Sequence, residues 1–143
     1  MNINVIARSD AEAQDVMGTL GSPQALTVDD TYVVQTGTTD TRDYSNCVWF
    51  VETVTQGSAT KLTVKVEWLH NALPTDRNPQ GSESISGGLS TLSVYEAEYT
   101  LVADEGLPAI SLPVAGPYAM VSIKADLTAG TNPEVIVRAW RKA

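Results

Sequence analysis

From Tyr44 to His70 the chain runs in two alternating stretches, Tyr44 to Thr55 and Thr60 to His70, joined by Gln56-Gly57-Ser58-Ala59. A repeat of two residues is the signature of strands, and a short Gly-containing joint predicts a long β-hairpin. With a turn at Gly57-Ser58, or the wider Gly57 to Thr60, Cys47, Trp49, Val51 and Thr53 share a face with Leu62, Val64, Val66 and Trp68. That face reads as core. The other face carries Val48, Phe50, Glu52 and Val54 against Lys61, Thr63, Lys65 and Glu67, a mixture suited to a second layer or a neighbouring subunit.

The same periodicity recurs along the chain. Gln24 to Val28 and Thr31 to Thr36 are short strand candidates, and Gly37 to Asp40 reads as a turn. Residues 71–88, rich in Pro, Gly and Ser, have no sustained period and predict a long loop of the kind that binds or assembles. Leu89 to Ala103 returns to strand with Tyr95, Ala97, Tyr99 and Leu101 inward. Leu107 to Pro113 is an extended edge in which Pro108 and Pro113 restrict pairing. Tyr118 to Leu127 and Glu134 to Arg141, around Thr128 to Pro133, form a second predicted hairpin. Only the amino-terminal part suggests helix: Ser9 to Glu12 is a capping-box pattern, with Ala13, Val16 or Met17, and Leu20 at helical spacing before Gly21-Ser22-Pro23. Residues 2–7 suit a strand or an extended arm instead. The expectation is an all-β, antiparallel, jelly-roll-like or Ig-like sandwich over residues 24–143, preceded by an arm or short helix over residues 1–23.

Composition narrows the function classes. The 143 residues make one domain's worth of chain, and 17 acidic against 9 basic residues give a formal net charge of −8, the wrong sign for a nucleic-acid binder. The basic residues Arg138, Arg141 and Lys142 collect late in the chain and read as a solvated end with salt-bridge partners. The start has no basic region followed by an apolar core, no apolar run reaches membrane-spanning length, and no Asn-X-Ser/Thr site occurs. We therefore expect a protein made in a cytoplasm, not secreted, with no membrane and no nucleic-acid partner.

Candidate chemistry is sparse. One Cys, Cys47, and one His, His70, cannot build a His/Cys metal centre within one copy, and Cys47 reads as a small core residue. No Gly-X-Ser-X-Gly elbow or phosphate-binding Gly loop is present. Glu52 and Glu67 are the strand carboxylates to consider as a glycosidase pair, and cross-strand ion pairing is the simpler use, for Glu52 with Lys61 or Lys65 in the hairpin register. Asp29-Asp30, Asp40 with Asp43, and Asp104-Glu105 fall in turns and read as turn caps rather than calcium ligands. The sequence therefore predicts no catalytic residue, no cofactor and no metal. Trp49 and Trp68 belong to the predicted core. Tyr44, Tyr95, Tyr118 and Trp140 are the aromatics open to a sugar-stacking role.

The run Val48 to Trp68, then a polar excursion, then Tyr118 to Ala125 and Gly130-Thr-Asn-Pro-Glu-Val-Ile-Val-Arg138, resembles the small β-sandwich structural proteins of tailed-phage virions. The resemblance extends over residues 44–141 and leaves residues 1–30 without a matching motif. It implies a capsid decoration or auxiliary head protein located in the virion, a homotrimer bound to the major capsid or another virion protein, with head–tail or tail components as its nearest siblings. Val48, Phe50, Val54, Trp140 and Arg138 are the residues expected at such contacts. The competing expectation is a carbohydrate- or receptor-binding β-sandwich module.

Overall fold

A computed structural model describes residues 11–71, 91–103 and 105–143. Ten strands lie there, all antiparallel: β1 (Gln14–Met17), β2 (Gln24–Ala25), β3 (Val33–Val34), β4 (Thr39–Asp40), β5 (Asn46–Thr55), β6 (Ala59–Leu69), β7 (Thr91–Thr100), β8 (Ile110–Pro113), β9 (Tyr118–Leu127) and β10 (Glu134–Lys142). They build two five-stranded sheets. The first runs β1-β10-β5-β8 with β2 also on β10, and the second runs β3-β9-β6-β7 with β4 also on β9.

Two pairs of short strands are each one strand with an interruption. β1 and β2 lie along the same edge of β10, facing Val137 to Ala139 and Glu134 to Val135, with an excursion between them. β3 and β4 lie along β9 in the same way, at Ser122 to Ile123 and Tyr118 to Ala119. Between them the Gln35 backbone N–H donates to Val121 O at 3.0 Å, and its side-chain Oε1 accepts the Val121 N–H at 2.7 Å, so an amide side chain continues the ladder. Counted this way there are eight strands in nested pairs: β1/β2 with β10, β3/β4 with β9, β5 with β8, and β6 with β7. The rolled-up ribbon then sets β10 beside β5 and β9 beside β6, the jelly-roll arrangement of an antiparallel sandwich.

Neither hairpin expected from the alternation forms. β5 and β6 belong to different sheets, as do β9 and β10, so both joints are arches that carry the chain across the sandwich. The inward residues are nonetheless those the period selects. Cys47, Trp49 and Val51 are buried from one sheet, and Leu62, Val64, Val66 and Trp68 from the other, meeting face to face instead of side by side. Trp49 and Trp68 cross edge-on with ring centroids 5.6 Å apart. The two arches pack on each other, with Ser58 N–H donating to Thr131 O at 2.7 Å. Gly57 makes that approach possible, since its φ is +57° and a Cβ there would stand 2.2 Å from Thr131 O.

Other expectations are corrected locally. The helix marked by Ala13, Val16 or Met17 and Leu20 does not form among the described residues, because Gln14–Met17 extends along β10 and Met17 is buried in the core. Ladder pairing outweighs helical spacing there. Ser9, Asp10 and the arm of residues 2–7 lie outside the described residues, as does the loop expected over residues 71–88 after Asn71. Thr39 and Asp40, read as turn, are strand. Tyr95, Ala97 and Tyr99 of β7, and Leu101 just past it, do turn inward and are half-buried.

Candidate functional site

With the inner faces packed together, each sheet is left with an outer face. On the first sheet the alternation places Val48, Phe50, Glu52 and Val54 of β5 beside Ile136, Arg138 and Trp140 of β10, paired Val48 to Trp140, Phe50 to Arg138 and Glu52 to Ile136. All five residues expected at contacts, Val48, Phe50, Val54, Arg138 and Trp140, therefore share this one face. Val48 and Ile136 are covered, whereas Phe50 and Val54 remain 39% and 42% exposed. Arg138 bridges three strands: Nε lies 3.1 Å from Asp15 of β1 and Nη1 3.1 Å from Glu52 of β5. Glu52 is thus an ion-pair residue as its sequence context suggests, but its partner is Arg138, because Lys61 and Lys65 lie on the opposite outer face.

Beside this face runs a groove of about 650 Å³. One wall is Phe50 to Val54, and the other is the connection from β7 to β8, including Leu101, Val102 and Leu107. Its origin is legible in the register. β8 pairs with β5 only from Asn46 to Trp49, where Trp49 faces Ile110. The next positions would set Pro108 opposite Val51, and proline brings no N–H to a ladder. The chain turns away there. Phe50 to Thr53 and Thr55 pair with β10 on one side, with a register shift at Val54, and with no described residue on the other. The restriction imposed by Pro108 is visible in the sequence, but the second wall is not, since it depends on which strand β8 joins.

The outer face of the second sheet is ionic at its centre, with Val34 of β3 and Leu92 and Val94 of β7 exposed toward its margins. The Tyr32 hydroxyl donates to the Glu96 carboxylate, while Lys65 and Lys124 place their ammonium groups 4.3 Å and 5.0 Å from the Tyr32 ring centroid. Lys124 is 2.8 Å from Asp30, Lys61 lies 3.5 Å from both Glu98 and Asp126, and Lys65 is 3.6 Å from Glu67. The charges show it in their ionisation. The hydrogen bond from Lys124 holds Asp30 below the usual carboxylate range, and burial together with Glu96 pushes the Tyr32 hydroxyl up. Sequence reading missed Tyr32, whose partners on β6, β7 and β9 come together only in the folded sheet.

The remaining candidates disperse. His70 is exposed just past β6. Cys47 is buried, and burial pushes its thiol up to about 12. Glu52 and Glu67 stand on opposite outer faces and do not form a pair. Asp40 binds Arg42 at 2.7 Å. Of the aromatics, Tyr118 lies under Arg42, Tyr44 under Arg141 and Trp140 under Lys142, with cation-to-centroid distances of 5.1, 5.0 and 5.3 Å. Tyr95 turns toward the core. Among the described residues no three His, Cys, Asp or Glu side chains are grouped so as to hold a metal ion.

No protein-family model, no curated protein and no solved structure matches the chain.

Proposed function

We propose that this chain is a non-enzymatic structural subunit of a tailed-phage virion, a capsid decoration or auxiliary head protein that associates through the outer face of its first sheet. The observation that carries the reading is the pair Phe50 and Val54, large apolar side chains left open along the wall of a groove. Exposed apolar surface with a polar rim, here Glu52, Glu105 and Arg138, is what a protein contact requires. The jelly roll adds a fold-level analogy, for the same architecture serves viral shells and also lectins and cupins. A trimer set on a shell of major capsid protein is the assembly this reading expects. A head–tail or tail position satisfies the same face. A sugar- or receptor-binding role has less beneath it, because Tyr44, Tyr118 and Trp140 each already carry a cation over the ring.

The test is solution mass by light scattering over a dilution series, with sedimentation alongside emptied, expanded phage heads, for the native protein and for Phe50→Asp. An oligomer that persists on dilution and travels with the heads, and a variant that keeps its thermal midpoint but loses both properties, support the reading. A native protein that is monomeric throughout and never sediments with heads overturns it. Assembly of Phe50→Asp at native strength removes this face from it.

A further inference from the structure

We infer that the edge of β5 left unpaired by the described residues receives residues 2–6 of a second copy of this chain as an added strand. The inference rests on the preceding reading of this face as a contact surface and names its partner.

The edge asks for a strand. From Phe50 to Thr53, before the register shift at Val54, every second residue points its N–H and C=O away from β10, and no described residue meets them. An edge that no described residue pairs is a template for an extended peptide, and the groove beside it, walled by Leu101 and Leu107, has room for one. Two copies of the edge do not suit each other: pairing Phe50 with Val54 about a twofold axis sets Glu52 against Glu52, a like-charge contact.

The segment Asn2-Ile3-Asn4-Val5-Ile6 has the pattern the groove fits. Laid antiparallel with Ile6 beside Phe50, it sets Val5 at Val51 and Ile3 at Thr53, both facing inward toward Leu101 and Leu107. Asn4 then stands at Glu52 and Asn2 at Val54, on the outer face. The two apolar positions meet the apolar wall, and an amide meets the carboxylate.

The strand comes from another copy because the chain leaves its own body in the wrong direction. Ala11 N–H donates to Arg141 O at 2.9 Å, so the segment before β1 runs toward the Lys142 end of β10, on the far edge of the sheet from the groove. Crossing back spans three strand spacings and about three residues of height, roughly 17 Å. Five residue steps reach at most about 18 Å when fully extended. That leaves no slack to reverse direction and climb over Trp140.

The test uses the full chain. Ile3→Asp combined with Val5→Asp is compared with the native protein by light scattering and by hydrogen exchange at the amides of Phe50 to Thr55. A native oligomer with those amides protected, and a variant of monomer mass with their protection lost at least tenfold, bear the inference out. Unchanged mass and protection in the variant overturn it, and so does a native monomer whose protection the variant removes, which places the arm in its own groove. Independently of how the double variant folds, an Asn4→Cys chain is mixed with a Glu52→Cys chain and oxidised. A mixed disulfide dimer well above that given by Asn4→Cys with Val34→Cys is expected, and equal yields overturn the inference. Failure of the arm with retained sensitivity of head binding to Phe50→Asp sinks this inference alone and leaves the proposed function standing.

Discussion

The two outer faces of the sandwich are built on the same alternation yet are finished differently. The second sheet pairs its charges, since Lys61, Lys65 and Lys124 all have carboxylate partners and Tyr32 ties β7 to the lysines through Glu96, while Val34, Leu92 and Val94 stand exposed toward its margins. The first sheet has Arg138 as its main ionic tie and leaves Phe50 and Val54 exposed beside a groove, along a stretch of β5 that no described residue pairs on its β8 side. Inside, by contrast, the sheets contribute alike, each with a central tryptophan. What the first face has and the second lacks is the groove beside β5, which opens where the β8 ladder stops, just before Pro108 would face Val51.

The largest effects should ignore the difference between the faces. Trp49→Ala and Trp68→Ala each remove one ring of the central edge-on pair, and each is expected to cost about 3–5 kcal/mol in urea unfolding. A cost much smaller for one than for the other would show that the sheets do not share the core equally. Next comes Gly57→Ala, which adds a Cβ in left-handed backbone against Thr131 O and separates the two arches. The conformational penalty alone is about 1–2 kcal/mol, and the clash adds to it. Restoration of full stability by this change would mean that the arches are not in contact.

A smaller effect appears at alkaline pH and belongs to the inner side of the first sheet. Cys47 has its folded thiol raised to about 12 from 9.0, so the folded state holds a proton that the unfolded state has released. Its contribution is therefore fully present below pH 9.0 and is lost as the pH rises through about 12. The slope from this group is at most about 1.4 kcal/mol per pH unit. Cys47→Ala should flatten the decline between those limits relative to native protein, and parallel curves would remove the thiol as the cause. The smallest effect is reserved for the ionic face. Lys124→Ala should lower the thermal midpoint slightly at low salt and not at all in high salt, since its partner Asp30 is exposed. An equal loss at both salt levels would mean that the stem over Tyr32 matters more than the charge.

The inward residues were legible because a period of two needs no knowledge of partners. Trp49, Val51, Leu62, Val64 and Val66 face the core whether β5 and β6 lie in one sheet or in two. Pairing was not legible for the same reason: Gln56-Gly57-Ser58 can close a hairpin or an arch, and what selects the arch is Thr131, a residue more than seventy positions away. Spacing misled at Met17, where four residues fit a helix but an open edge of β10 was available. The five contact candidates fell on one face because that face follows from the period alone, whereas the groove needed the position of β8.

The nested pairing also dictates an order of assembly on the ribosome. β10 lies between β1 and β5, and β9 between β3 and β6, so each sheet receives an inner strand only after its other strands have been made. Until Tyr118 to Lys142 emerge, the nascent chain can close β5 on β8 and β6 on β7 but has nothing to join these two ribbons to β1 through β4. Translation delivers the keystones last, and the growing polypeptide must be shielded from its own unpaired strands until they arrive.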